Sequence, residues 1–341
     1  MSILIAGAGG YIGTELTKYF LKKNYNVIAL DRFYFGDTLS SLINNKKLKI
    51  VKDDIRSFDK KLLKGIDVVI NLASISNDPA SELNPQITKK INFEGAVRLA
   101  ELSKEMKVSK HIFASSCSVY GANSGVVTEN SPTNPISEYS KSKIKAEESL
   151  LKLSTNKFCV TILRSATLHG LSRARMRFDL MINIMTLHAW KNNKIFIKGM
   201  GEQWRPLIHI SDCIAGFDLI VKEKNLHKIN GQVFNLGSNN QNYQVFQVAN
   251  IFKKYFPDIT IENIQDDPDY RSYHVNFDKI SKLLGFKAKK TINHGIIEIK
   301  EALELGKVSD SGTATHTLRH YQYLIEADKV LSEVKLNDKL F

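Results

Sequence analysis

The chain reads as an α/β protein, a doubly wound parallel sheet followed by a smaller mixed lobe. Three observations predict this. Short apolar runs alternate with segments of helical spacing through the first half of the 341 residues. A glycine-rich turn joins the first run to the first helix. After residue 164 the alternation loosens into basic, turn-rich stretches. Strands separated by helices pair in parallel through right-handed crossovers.

The elements follow in order. Residues 2–6 form a short apolar strand, and 11–23 a helix with Ile12, Leu16, Tyr19 and Phe20 on one face. Runs 26–30 and 48–51 are strands ending at Asp31 and at Asp53–Asp54. VVINL within 67–72 is a buried strand. Pro85 suits the first turn of a helix continued by Ile91, Val97, Leu99 and Leu102. Strand 111–114, helix 139–153 and strand 159–163 complete the alternation. Beyond it we expect helices at 178–190, 245–255 and 292–305, a last strand at 233–236, and one or two terminal helices over 315–334. Residues 1–168 form the first domain, completed by the strand near 233–238. Residues 169–305 form the second lobe, and 306–341 a helical extension with no readable role.

Composition excludes several classes. Hydrophobic residues at 43% build a core, while 24% charge and 7 prolines oppose disorder. No uninterrupted apolar run is long enough to span a membrane. MSILIAGAGG has no basic stretch ahead of an apolar run, so no secretory leader is expected. The three cysteines form no CxxC pair, which argues against a disulfide scaffold or zinc ribbon and fits a reducing cytoplasm. The nine histidines show no metal spacing. Net charge is +13, yet the lysines are scattered as pairs without a run of five, so no nucleic-acid partner is expected. A small phosphate-bearing substrate would profit from the same field.

GAGGYIG places Gly7, Gly10 and Gly13 between strand and helix. Glycine permits the turn, lets backbone approach a pyrophosphate, and lets helix pack on sheet. The helix N-terminus then offers N–H groups to phosphate. Asp31 closes the next strand, where a carboxylate accepts from a ribose hydroxyl and repels a 2′-phosphate. This predicts a Rossmann-type domain binding NAD, although Arg32, next in line, could favour a phosphate.

Tyr139 and Lys143 lie i to i+4 in YSKSK and share one helix face. A free phenol is a poor base at neutral pH. A nearby ammonium stabilises its phenolate, and Tyr139 could then take a proton from a sugar hydroxyl. SSCSVYG at 115–121 ends a buried strand and supplies a hydroxyl at Ser116. Alone, the Tyr–Lys spacing is equally that of an amphipathic surface helix.

Together GAGGYIG, Asp31, Asp54–Ile55, NLAS at 71–74, SSCSVYG, YSKSK and Leu163–Arg164 resemble, in order, the extended short-chain dehydrogenase/reductase family. The similarity runs through IHISD at 208–212 and FNLGS at 234–238, over about residues 1–305. Such proteins are nucleotide-sugar epimerases, dehydratases, reductases or decarboxylases. The resemblance implies Ser116, Tyr139 and Lys143 as catalytic triad. Near the cofactor it implies Tyr11 and Ile12 beside the glycines, Asp54, Ile55, Leu72, Ala73 and Ser74, then Asn92, Ser115, Ser165 and Ala166. Two departures stand out. The dehydratase branch carries an Asp-Glu pair after the catalytic Ser or Thr, where this chain has Cys117 and Ser118. The VYG common after the Leu-Arg strand is here Leu168–His169–Gly170.

On the substrate side, Cys117 is either a packing residue beside the site or a nucleophile, able to exchange a proton only if its surroundings shift its pKa, and Ser118 bonds substrate or backbone. In the family an arginine at the Arg205 position meets the substrate diphosphate. Arg271 is a second candidate. Surface ion pairs with Glu202 and Asp269 are the alternatives. Arg173, Arg175, Arg177 and Asn183 lie where the family's substrate-binding stretch begins, with Arg177 and Asn183 as contacts, and Thr167 faces the diphosphate. His209 reads as structural.

The expected function is oxidation of the C4 hydroxyl of a nucleoside-diphosphate sugar to a 4-keto intermediate. Return of hydride to the other face gives a 4-epimerase, the first expectation. Release of the keto sugar gives a 4-dehydrogenase. Dehydration ranks below both because Cys117 and Ser118 replace the acids. An NAD-binding scaffold is the non-enzymatic alternative. The resemblance also implies a homodimer or higher homo-oligomer, with no metal.

Overall fold

The computed structural model describes residues 1–264, 271–336 and 339. In chain order the first half contains β1 (Ser2–Ala6), α1 (Tyr11–Lys22), β2 (Asn26–Asp31), β3 (Leu48–Lys52) and β4 (Val68–Asn71). Then come α2 (Asp78–Ser81), α3 (Pro85–Lys89), α4 (Ala96–Glu105), β5 (Lys110–Ser116), β6 (Ala122–Val127), α5 (Glu138–Lys152) and β7 (Cys159–Ser165). The second half contains β8 (Thr167–His169), α6 (Met181–Asn192), β9 (Lys194–Lys198), β10 (Trp204–His209), α7 (Ile210–Lys222) and β11 (Gln232–Leu236). It ends with β12 (Asn242–Gln244), α8 (Val245–Phe252), β13 (Thr260–Ile264), β14 (Ser272–Val275), α9 (Asp278–Leu284), α10 (Ile292–Glu304) and α11 (Thr317–Val334).

Seven parallel strands form the main sheet in the order β11-β7-β5-β4-β1-β2-β3. The order reverses between β1 and β4, which opens a crevice at their carboxyl ends. Both faces are covered, and the strand sequences show why. In β1, Ile3 and Ile5 pack with Leu16, Phe20 and Phe217 of α1 and α7. The alternate residues Leu4 and Ala6 pack with Leu99, Ala146 and Leu150 of α4 and α5. A strand apolar on both faces belongs between two helix layers. The second lobe has its own core, in which α6, α8 and α10 enclose β9 and β10 through Ile182, Ile197, Leu207, Phe252 and Ile296.

The helix expected from Pro85 changes its winding part-way along. Residues 90–95 form a π-helical turn between α3 and α4. Asn92 sits in that turn and bonds the backbone of Ile75 on both sides, accepting from its N at 2.8 Å and donating to its O at 3.0 Å. The turn thereby pins the loop leaving β4 to the helix layer. The short pairs β6–β14 and β9–β13 were not legible as strands; β6 has only one buried residue. Among the described residues no helix is long and apolar enough to cross a membrane, and no group of three or more His, Cys, Asp or Glu could hold a metal.

Two histidines are buried inside the fold. His111 lies in β5, fully buried, with no partner for Nε2 among the described residues. His169 ends β8, and neither ring nitrogen has a partner among those residues. Burial pushes each down to about 3. Between pH 3 and the unfolded value near 6.5 the unfolded chain therefore binds more protons than the native one, so stability is full above 6.5 and falls as pH drops. We expect the unfolding free energy to fall from pH 6 to 4 by up to about 1.4 kcal/mol per pH unit for each histidine. Urea melts of His111→Leu against the parent check this: the slope with pH should diminish by one proton's share, and an unchanged slope contradicts it.

Candidate active site and cofactor cavity

The glycine loop is shaped by contacts only glycine permits. Gly7 has φ +84°, and a Cβ there would meet the backbone of Leu72 and Ala73 at 2.7 Å, across the β1–β4 switch point. A Cβ on Gly13 would meet the Gly7 carbonyl oxygen at 2.1 Å. No side chain caps α1 at Gly10, so the first-turn N–H groups of the helix are left for an anion. A cavity opens on this loop. Its walls are Gly7, Gly10, Tyr11, Ile12 and Gly13, then Asp31, Arg32, Asp54 and Ile55, then Leu72, Ala73 and Ser74. Every one of these was expected from the sequence. The cradle suits a dinucleotide: backbone only where a pyrophosphate must approach, and a carboxylate where a ribose lies.

Asp31 carries a second task. Its carboxylate accepts from Gly9 N at 2.9 Å and Phe33 N at 2.6 Å, clasping the glycine loop to the turn after β2, while burial pushes its pKa up. Arg32 reaches toward Asp54, with its guanidinium 3.2 Å from Oδ2 and over the Tyr34 ring. Burial would raise Asp54, but hydrogen bonds from Arg56 outweigh it and hold the carboxyl below its usual range. The cation next to Asp31 is thus already engaged.

Helix α5 is fixed at its N-terminus. Ser137 caps α5 in a capping box with Ser140 and donates to Asp78. Ser81 of α2 accepts from Tyr139 N at 3.1 Å. One turn on, Lys143 is buried; its ammonium donates to the Ala114 carbonyl at 2.8 Å and lies 5.6 Å from the Tyr139 ring centroid. Burial pushes Lys143 down to about 7. Tyr139 is half-buried, and burial and then the Asp78 carboxylate push its phenol well up, with a hydrogen bond from Ser116 opposing them. Ser116, Tyr139 and Lys143 therefore converge from β5 and α5. Asp78, whose carboxylate also pairs with Arg271, was not legible in the sequence.

Below them lies a buried ion pair. Glu147 of α5 meets Arg164 of β7, with Arg164 Nη2 2.7 Å from Oε2 and side-chain exposures of 3% and 7%. Ser115 donates to the same carboxylate. Arg164 also donates to the Tyr120 hydroxyl at 3.0 Å, which donates to Asn235 of β11 at 2.7 Å.

Several expected residues lie elsewhere. Cys117 is in the core, its thiol donating to the Arg164 carbonyl oxygen at 3.2 Å and pushed up by burial. It is a packing residue here. Ser118 is buried beside it, and its backbone N–H donates to Ser116 Oγ at 3.1 Å. Ser165 and Ala166 are buried, with Ser165 Oγ 3.9 Å from the Cys213 sulfur. Asn183, expected at the substrate, spends its amide on the framework: it accepts from Gly170 N at 3.0 Å and donates to the Arg177 carbonyl at 2.9 Å. Arg177, expected likewise, lines the dinucleotide cavity, held there by Asp179 at 2.9 Å and by Ser76 at 3.2 Å. Thr167 is half-buried on β8, opposite Leu207 of β10. Arg205 is buried on β10, donates to the carbonyls of Trp204 and Arg271, and lies over the Tyr273 ring. Asp269, the alternative partner of Arg271, lies outside the described residues. His209 is structural, with Nε2 2.6 Å from Glu298. Arg175, expected only as part of the substrate-binding stretch, also lines the cavity, as does Tyr321, which the sequence did not point to.

The model of the NAD dependent epimerase/dehydratase family matches residues 3–237. The chain belongs to this family. The uncharacterised UDP-glucose epimerase YtcB of Bacillus subtilis is 31% identical over 252 residues, covering 70% of this chain and 77% of that protein. A dTDP-D-glucose 4,6-dehydratase of Dictyostelium discoideum is 28% identical, covering 73% of this chain and 59% of that protein. The solved UDP-glucuronic acid 4-epimerase of Bacillus cereus, in complex with UDP-glucuronic acid and NAD, superimposes with a TM-score of 0.80 at 28% identity, covering 89% of this chain and 99% of that one. This family member is an NAD-dependent enzyme of nucleotide-sugar modification.

The ion pair gives a test of the framework. Arg164→Met leaves the Glu147 charge buried and uncompensated, and should cost about 3–5 kcal/mol in urea melts. Adding Glu147→Gln should recover much of that loss. A single-variant cost below about 1 kcal/mol would show that the pair does not carry the helix–strand contact.

Proposed function

We propose that the enzyme interconverts C4 epimers of a nucleoside-diphosphate sugar. The observation that carries this reading is the convergence of Ser116, Tyr139 and Lys143, with Cys117 and Ser118 in place of acids and the Cys117 thiol held in the core. Dehydration across C5–C6 needs an acid and a base of separated pKa, and neither a buried thiol nor an unaided serine provides them. The likeness to a UDP-glucuronic acid 4-epimerase supports a uridine-diphosphate sugar as the first substrate to try.

NAD, when bound, supplies reversible acceptance of hydride. The chain supplies the proton chemistry. Tyr139 takes the proton of the C4 hydroxyl, Ser116 holds the sugar oxygen against the phenol, and Lys143 stabilises the phenolate. Arg205 and Arg271 meet the substrate diphosphate, and Arg271 exchanges its Asp78 partner for a phosphate oxygen. We further propose that α4 and α5 form the contact between two copies of the chain.

Tyr139→Phe should lower turnover by about 10²–10⁴ while NAD titration stays close to the parent, because only the phenol oxygen is lost. Near-parental turnover would remove Tyr139 as the base.

The outcome at C4 is read from product mass with UDP-glucose and UDP-glucuronic acid as first candidates. We expect a product of unchanged mass that separates chromatographically from its substrate. A product lighter by one water would overturn the epimerase reading in favour of dehydration, and one lighter by two hydrogens in favour of a released keto sugar.

A further inference from the structure

The C-terminal helix, silent in the sequence, packs on the dinucleotide cavity. Tyr321 of α11 is part of its wall. The ring of Tyr321 lies 6.0 Å from Tyr34 and 5.5 Å from Phe35, both in the turn after β2. His320 stacks on Phe35 at 5.0 Å, and its Nε2 lies 2.6 Å from the Tyr34 carbonyl oxygen. These contacts join the end of the chain to the segment that follows Asp31.

Arg175 lies in the same wall. Its guanidinium carbon is 3.6 Å from the centroid of the Phe35 ring, and the residue is only 3% exposed. It donates to the Met176 carbonyl at 2.6 Å and to Thr317 Oγ1, at the start of α11, at 3.3 Å. Its Nε has no hydrogen-bond partner, and no carboxylate forms an ion pair with it, among the described residues. Asp179, nearby, is taken by Arg177 through two bonds of 2.9 Å. Burial and the neighbouring Arg177 push the Arg175 guanidinium down, and the Asp179 carboxylate, engaged by Arg177, offsets only part of this. A cation buried without a counter-ion is costly. A chain that retains one beside a cavity retains it for an anion the cavity takes. The cavity has the uncapped start of α1 in another wall, already suited to phosphate.

We propose that Arg175 is the counter-charge of the cofactor pyrophosphate and that α11 seats it, so that the diphosphate is gripped between the glycine loop and a guanidinium fork while Tyr321 covers the adenosine side. The fork geometry suits two phosphate oxygens at once. The inference concerns NAD binding and stands whichever reaction follows at C4.

The test is binding, read without turnover. Full-length protein stripped of nucleotide is titrated calorimetrically with NAD and with ADP, adenosine is followed by ligand-observed NMR, and melting is recorded with and without NAD. Arg175→Met should weaken NAD and ADP by about ten-fold or more, leave the adenosine signal unchanged, and leave the nucleotide-free melting temperature at or above the parent's. Arg175→Lys, which keeps charge but loses the fork, should fall between. Tyr321→Ala should weaken NAD, ADP and adenosine alike. Parental NAD and ADP affinity in Arg175→Met would overturn the proposal. So would equal weakening of adenosine, or a lowered nucleotide-free melting temperature with affinity retained, since these mark a merely structural arginine. Should Arg175→Met fail to fold, Arg175→Lys decides: parental affinity for both NAD and ADP would overturn the proposal.

Discussion

The buried Glu147–Arg164 pair is the constraint on which the placement of Ser116, Tyr139 and Lys143 depends. Glu147 lies one turn beyond Lys143 on α5, and Arg164 stands on the neighbouring strand β7. Neither charge can relax into water, so the helix cannot rotate or slide without separating them. Ser115 ties the same carboxylate to β5, one residue before Ser116. Tyr120 and Asn235 carry the network to β11, the strand that closes the sheet from the far end of the chain. Ser116 and Tyr139 thus face each other because the groups beside them share one carboxylate and its counter-ion.

A similar economy governs the cofactor side. Asp31 stands where a ribose would be read, yet it also fixes the glycine loop through Gly9 and Phe33. Losing it would loosen the loop as well as remove an acceptor. Arg32, which by position alone could recruit a 2′-phosphate, is drawn to Asp54. Positive charge is instead concentrated at Arg175 and Arg177, on the segment leading into α6. The chain thereby keeps a carboxylate at the ribose and cations elsewhere in the wall, an arrangement suited to NAD.

What was legible in the sequence was what short segments determine by themselves. GAGGYIG specifies a backbone that only glycine adopts, and Tyr139–Lys143 share a face because a helix puts i and i+4 together. The alternation of apolar runs showed the parallel sheet because both of its faces are buried. What was not legible depends on chain segments far apart. Tyr34 and His320 meet across 286 residues, and α11 buries only Thr317 and His320, leaving little apolar pattern to read. Arg175 and Asn183 lie in one basic, polar stretch, and nothing local distinguishes an arginine facing a cavity from an asparagine bracing Tyr11 and Gly170. Cys117 follows Ser116 directly, but it points into the core because the strand has given way to a tight turn at 117–120.

The protonation of the Tyr139–Lys143 pair follows from treating it as one unit. Burial disfavours a lone phenolate at 139 and a lone ammonium at 143, so each shifts toward its neutral form. Phenolate and ammonium together carry no net charge, and their attraction offsets part of the cost that each bears alone. A phenolate beside a protonated Lys143 therefore costs less than a phenolate alone. Asp78 adds a bias, since its negative charge opposes the phenolate. Arg177 opposes that bias, while Arg271 pairs with the Asp78 carboxylate itself. The Tyr139 phenol thus sits between a carboxylate that holds its proton on and a Ser116 hydrogen bond and an Arg177 guanidinium that favour its release.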